Sequence, residues 1–266
     1  MTLRAFELSG ADGKLIRGDR ADGSGRQILF ITGFLSKRWG NKSKALAQWC
    51  AEQGWGFCCY DVRGFGDSEG KFADYTLSDW IADARSVISM LLSTPHPTRP
   101  TPAREGAASP GLTIVGNSLG GWIAWLIAQE RDEVERLILI APAFNIMGIR
   151  AKAISPERRH DWHSAGWMPW DDDPLHRDWP LSWKWVEESE SYWASSFDRM
   201  RPLKTSILHG SGDTVISPEG SREFVDLLRH RDPFYPVELH LVSGDHRLSG
   251  PEHMEYLRRL LLEPMV

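Results

Sequence analysis

The segment that most constrains the fold is Gly116-Asn117-Ser118-Leu119-Gly120. The apolar run LTIV precedes it and GWIAWLIAQE follows, so a strand feeds a tight turn and the turn feeds a helix. A serine at such a turn is held in a strained backbone conformation, and its neighbours two positions away must lack side chains that would clash. Its hydroxyl then stands above a sheet at a helix N-terminus, where exposed N–H groups favour developing negative charge. Gly121 lets the same helix pack close to the sheet. The plainer alternative is an ordinary turn in which Ser118 caps a helix. The strand on one side and the apolar helix on the other favour a nucleophile.

The rest of the chain repeats this alternation. LRAFEL and KLIRG, parted by SGADG, read as an antiparallel edge hairpin. QILFIT (27–32) is a continuous apolar run, the signature of a central strand covered on both faces. A helix is expected over 41–53, a strand at GFCCYDV (56–62), and a helix over 77–92 with Ser78 as a possible cap. LTIVG, a helix at 119–130 and VERLILIAPA form a strand–helix–strand unit. KTSILHG, a helix near 218–230, PVELHLVSG and a helix near 251–262 complete the series. Strands alternating with helices give an α/β fold, a mostly parallel sheet with helices on both faces.

Two stretches break the rhythm. Residues 93–111 hold five prolines among small and polar residues and read as an irregular surface loop. Residues 144–200 hold seven tryptophans and are expected to form a mostly helical cap above the sheet. The expected organisation is one domain, with 1–143 and 201–266 as the core and 144–200 as the cap insertion.

The chain has 266 residues, enough for one large core, and a net charge of −5. No run of like charges reaches five residues. That argues against nucleic acid, whose binders usually carry a basic stripe. No segment approaches the roughly 18 apolar residues of a membrane span. Cys50, Cys58 and Cys59 are odd in number, and two are adjacent, where a bridge would be badly strained. They read as reduced, buried thiols. With a start that lacks the apolar run of a signal peptide, they suggest a cytoplasmic protein.

A serine nucleophile needs a base, and the base needs a carboxylate that fixes its tautomer. In this fold the order is Ser, acid, His. His246 follows the strand PVELHLVSG and lies late in the chain, so it is the expected base. His209 ends a strand, His240 lies within one and His230 closes a helix; these read as structural or solvated. Asp213 lies in the tight loop LHGSGDTV after a strand and is the expected acid. The other usual place, after LILIAPA, offers Asn145 instead. Asp245, beside His246, is expected to point away from its ring. The backbone N–H groups of Phe34, after the third strand, and of Leu119 are expected to face an oxyanion.

With these segments in place, the sequence resembles the α/β-hydrolase superfamily, and within it the ABHD10-like hydrolases, mitochondrial depalmitoylases and their bacterial relatives. The likeness lies in GFLSKRWGNK (Gly33, Phe34, Ser36, Gly40 and Lys42), YDVRGFGDSEGKF, GNSLGGW, LHGSGDTV and SGDHRL, in that order. It implies ester or thioester hydrolysis without a cofactor. The departures are Lys37 where an acid is common, Asn117, the proline-rich loop and the Trp-rich stretch.

His160 and His163 lie three apart and carboxylates follow, but no second pair matches them, so no metal is expected. The Asp67-Ser68 turn is expected only to shape a loop. The tryptophans suit an acyl chain, and no basic cluster is expected around the mouth. The expected substrate is therefore an acyl ester or thioester with a hydrophobic acyl part, an acylated protein included. A binding protein that kept the fold and lost the chemistry is the rival.

Overall fold

The computed structural model describes residues 2–93, 111–169 and 179–264. The chain opens with a hairpin, β1 (Arg4–Ser9) and β2 (Leu15–Ala21), paired antiparallel from Arg4↔Arg20 to Ser9↔Leu15. Then follow β3 (Gln27–Ile31), α1 (Asn41–Gln53), β4 (Gly56–Asp61), α2 (Leu77–Ser93), β5 (Leu112–Asn117), α3 (Leu119–Glu130) and β6 (Val134–Ile140). After an excursion described below, β9 (Lys204–Gly210), α7 (Pro218–Arg231), β10 (Val237–Val242) and α8 (Pro251–Leu262) finish the chain. The strands form one eight-stranded sheet in the order β1-β2-β4-β3-β5-β6-β9-β10, antiparallel at β1-β2-β4 and parallel from β4 onward.

Side chains alternate along a strand, so each central strand must feed two cores. Ile28, Phe30, Phe57, Cys59, Val115, Ile138, Ile140 and Leu208 pack on α1 and α8. Leu29, Ile31, Cys58, Tyr60, Ile114, Leu137, Leu139 and Ile207 pack on the other face, with Trp80 of α2, Trp122 and Trp125 of α3, and Phe224 of α7. This double burial explains why β3 reads as an unbroken apolar run. Cys50, Cys58 and Cys59 are free and buried. Burial pushes the Cys50 thiol up to about 12 and raises those of Cys58 and Cys59, so none supplies a thiolate near neutrality.

Helix α2 starts two residues earlier than a Ser78 cap would allow. Thr76 sits before it, and the Asp79 carboxylate accepts from the Thr76 N–H (2.9 Å) and hydroxyl. Ser78 lies inside the first turn, and its N–H donates to Glu188 (2.9 Å).

Between β6 and β9 the chain forms α4 (Ile146–Ala153), α5 (Pro156–Ala165), a small pair β7 (Trp167–Met168) and β8 (Leu181–Ser182), and α6 (Trp183–Ser195). Ser155 caps α5 and Gly166, at φ 77°, ends it. Helix α6 carries Trp185, which packs edge-on to Trp80 with ring centroids 4.9 Å apart. Glu188 of α6 ties this segment to α2 through Thr76 and Ser78. Trp162 is buried, and its indole N–H donates to the Leu181 carbonyl (2.8 Å). Trp167, by contrast, is 57% exposed. Trp170, Asp171–Asp173, His176 and nearly all of the proline-rich loop lie outside the described residues.

Candidate active site

In a parallel sheet the loops that follow the strands gather at one edge. Here the loops after β3, β5, β9 and β10 bring together the residues singled out by sequence.

Ser118 links β5 to α3 with φ 53° and ψ −120°. Its N–H donates to the Ile140 carbonyl (2.8 Å), and its own carbonyl accepts from Gly121 and Ala143. The flanking glycines are obligatory for steric reasons. A Cβ on Gly116 would stand 2.4 Å from the Gly120 carbonyl oxygen, and one on Gly120 would stand 2.3 Å from that of Thr32. The turn is thus wedged between β3 and its own helix, which holds the strained serine in place.

His246, in the loop after β10, lies with Nε2 3.1 Å from Ser118 Oγ and Nδ1 2.7 Å from Asp213 Oδ2. Because the carboxylate only accepts, Nδ1 carries the proton and Nε2 is left free to accept from the serine. Asp213 lies in the loop after β9, its side chain fully buried. Its Oδ1 accepts from the N–H groups of Val215 (2.8 Å) and Ile216 (2.9 Å). Burial alone would raise its pKa, but the hydrogen bonds from His209, His246 and Ile216 outweigh burial and hold the carboxyl well below the usual range.

His209, read from sequence as structural or solvated, is wholly buried and joins this group. Its Nε2–H is shared between Asp213 Oδ2 (3.1 Å) and the Ile216 carbonyl (3.1 Å), while Nδ1 lies 2.7 Å from Ser221 Oγ. The available signal was the spacing: His209 ends the strand that feeds the acid's loop, four residues before Asp213. His230 is exposed, and His240 bonds the Tyr256 hydroxyl (2.9 Å). Asp245 turns away from the imidazole and accepts from the N–H groups of Arg247 and Leu248.

Gly33 packs against Ser118, since a Cβ there would lie 3.1 Å from Ser118 Cβ. Phe34 is therefore set beside Ser118 at the end of β3. Leu119 opens α3, and as the first helical residue its N–H has no acceptor within the helix. The Phe34 ring meets Phe65, Phe72 and Trp185, with centroids 5.7, 5.5 and 5.4 Å away. Its backbone and its ring thus serve different ends.

The loop carrying Phe34 is clamped at Arg38. That guanidinium donates to Asp61 (2.5 Å), Asp19 (2.7 Å) and Asp67 (2.8 Å), and the Arg38 N–H also meets Asp61. Burial opposes its charge, but the carboxylates win and raise its pKa. Ser68 donates to the Asp61 carbonyl (2.6 Å) and accepts from the Arg17 N–H. The Asp67-Ser68 turn therefore braces the site without lining it.

A cavity of about 450 Å³ opens beside Ser118. It corrects one expectation. Lys37, Lys42 and Arg247 stand on its wall with Asn41, Ser36 and Ser249, so a basic cluster does flank Ser118. The cluster was hidden because the cations come from two loops 205 positions apart, joined where Lys42 Nζ donates to the Arg247 carbonyl. Among the described residues no tryptophan lines this cavity; Trp185 approaches it through Phe34.

The chain can now be set beside known proteins. The family model described as serine aminopeptidase, S33, matches residues 26–163. Over 235 residues the chain is 27% identical to the mouse mitochondrial palmitoyl-protein thioesterase ABHD10, covering 86% of this chain and 72% of that protein. A solved structure from Agrobacterium vitis S4 superposes with a TM-score of 0.82 at 22% identity, over 98% of each chain. Est1E from Butyrivibrio proteoclasticus, solved with ferulic acid, gives 0.74 at 20% identity over 96% of each chain.

Proposed function

Because the chain belongs to the serine aminopeptidase S33 family of α/β hydrolases, we propose that it is a serine hydrolase that cleaves carboxylic esters or thioesters through Ser118, His246 and Asp213. One observation carries the reading: Ser118 Oγ, His246 and Asp213 Oδ2 form a continuous hydrogen-bonded line at 3.1 and 2.7 Å.

The steps follow from that line. As Ser118 Oγ attacks the acyl carbon, His246 Nε2 takes its proton, and ionised Asp213 stabilises the resulting imidazolium. The oxygen that becomes negative is met by the N–H groups of Phe34 and Leu119. The tetrahedral carbon then expels the alcohol or thiol, which takes the proton from Nε2, leaving an acyl-serine. Water repeats the sequence and frees the acid and Ser118. No step requires a cofactor.

Ester or thioester cleavage is favoured over removal of an N-terminal amino acid by the sign of the cavity. A peptide's α-ammonium needs a carboxylate, and among the described residues the cavity wall carries Lys37, Lys42 and Arg247 with no Asp or Glu. The acyl group is hydrophobic in this reading. Support comes from the aromatic group around Phe34, and from a relative named as a palmitoyl-protein thioesterase. Acylated proteins thus fall within the substrate class. The segment 144–200 acts as the cap, with α6 bearing on Phe34 through Trp185.

Labelling with a fluorophosphonate tests the assignment. The wild-type chain should react and Ser118→Ala should not, with esterase turnover lowered about 10³-fold or more. Equal labelling of both, or near-normal turnover by the variant, would overturn it.

A further inference from the structure

The polar cavity beside Ser118 asks for a ligand that the hydrolytic steps alone do not specify. Its wall runs from His246 to Arg247 and Ser249 on one side, and from Phe34 to Lys37 and Lys42 on the other. His246 must hand its proton to the departing atom, so the leaving group lies against His246 and the cavity continuing from it is the leaving-group side. The acyl group is left to the aromatic side of Phe34.

The charges in this cavity are uncompensated. Among the described residues, no carboxylate comes within ion-pair distance of Lys37, Lys42 or Arg247, whereas arginines such as Arg38, Arg63, Arg136 and Arg258 are so paired. Asp245 is the acid whose field reaches Lys42, and its Oδ1 is already taken by two backbone N–H groups. Lys42 also sits in the first turn of α1, which holds no acid. A cation there opposes the helix dipole. Burial pulls the Lys42 ammonium down to about 8, against the attraction of Asp245. Three cations on the wall of one cavity, at the positive end of a helix, favour an anion placed in it.

We infer that this cavity is an anion subsite, and that the substrates are esters or thioesters whose leaving alcohol or thiol carries a carboxylate or phosphate a few bonds from the scissile atom. Arg247 and Lys37, the exposed members, meet the incoming anion, and Lys42 holds it against the first turn of α1. This rests on the proposed hydrolytic role of Ser118 and names the substrate class for that site. It also gives the departure at Lys37 a purpose: a cation at position 37 adds to the attraction, where an acid would cancel it.

The test compares three butanoate esters of matched phenols: para-(carbamoylmethyl)phenyl, para-(carboxymethyl)phenyl and para-(phosphonomethyl)phenyl. For the wild-type chain at low salt, kcat/KM should favour both anionic esters over the neutral one by about ten-fold or more. The preference should collapse toward unity at about 1 M salt, where screening is nearly complete. The Lys37→Gln/Arg247→Gln double variant should lose most of the ratio. The two anionic arms separate carboxylate from phosphate as the preferred group. A wild-type ratio of one or less, or an undiminished ratio in the double variant, overturns the subsite. If the neutral ester is still cleaved in a Ser118-dependent way, the hydrolase reading stands without it. Calorimetric binding of para-(phosphonomethyl)phenol gives a second readout that needs no turnover. Tighter binding to the wild type than to the double variant supports the subsite; equal or undetectable binding overturns it.

Discussion

His209 Nε2 and His246 Nδ1 converge on the same oxygen of Asp213, at 3.1 and 2.7 Å. With the Val215 and Ile216 N–H groups on the other oxygen, the carboxylate meets four donors, about as many as its lone pairs can accept. His209→Phe keeps a ring in the buried space but removes one of those donors. It should lower stability by about 1–3 kcal/mol, since a buried acceptor loses its partner. It should also lower kcat more than it raises KM, because the imidazole of His246 loses a fixed anchor. Urea unfolding and steady-state kinetics measure the two effects, and a rise in KM at constant kcat would count against the anchoring role.

The same set of donors makes acid tolerance depend on Asp213. Its carboxyl titrates in the folded chain below the ordinary value of about 3.9. The stabilisation is therefore whole above that value and drains away as pH falls toward the folded one. Asp213→Asn forgoes it at every pH. The difference in urea midpoint between wild type and variant should be large at about pH 7 and narrower near pH 3.5. A gap that stays constant or widens in acid would show that the carboxylate's charge is not what stabilises the loop.

Arg38→Met should disturb the site from a distance. It strips the guanidinium from Asp61, whose side chain is fully buried. Breaking a buried pair costs about 3–5 kcal/mol, and the low end is expected because backbone N–H groups of Arg38 and Asp67 remain on Asp61. The loop bearing Phe34 would loosen and kcat would fall. Arg38→Lys should recover part of the stability and less of the activity, because an ammonium cannot span three carboxylates as a guanidinium does. Full recovery by lysine would refute the geometric argument.

Acyl length offers a separate test of the aromatic side. From acetyl to dodecanoyl p-nitrophenyl esters, each added methylene should raise kcat/KM by up to about 0.8 kcal/mol, roughly four-fold, until the space is full. A steady fall from acetyl onward would mean that the rings around Phe34 close the site against acyl chains.

Much of this was legible in the sequence, and the reason is local. The strand–turn–helix around Ser118, the edge hairpin over 4–21 and the both-sided burial of β3 all follow from side-chain period and glycine placement within a few residues. That Asp213 and His246 would lie near Ser118 was legible because each loop follows directly on a strand. What escaped depends on contacts between distant segments. Ser78 looked like a cap, yet its N–H is taken by Glu188, 110 positions away. No basic cluster was expected around the mouth, because Lys37 and Lys42 meet Arg247 only where β3 and β10 carry the segments that follow them to one cavity. His209 was left between a structural and a solvated reading because burial, which separates a solvated histidine from a bonded one, is a property of the finished sheet.

The line of Ser118, His246 and Asp213 also has a place in time. Ser118 and His246 are 128 positions apart, and Asp213 reaches the line only when β9 has paired with β6 and β10 with β9. Closing so long a loop carries an entropy cost that local helices do not meet, and long-range parallel pairing is slow. Helical signal can therefore return early on refolding, while the bond between His246 and Ser118 waits for the last strand of the sheet. A chain stopped before β10 would keep Ser118 in its strained turn without His246 beside it, so the line of three residues is complete only once β10 has joined the sheet.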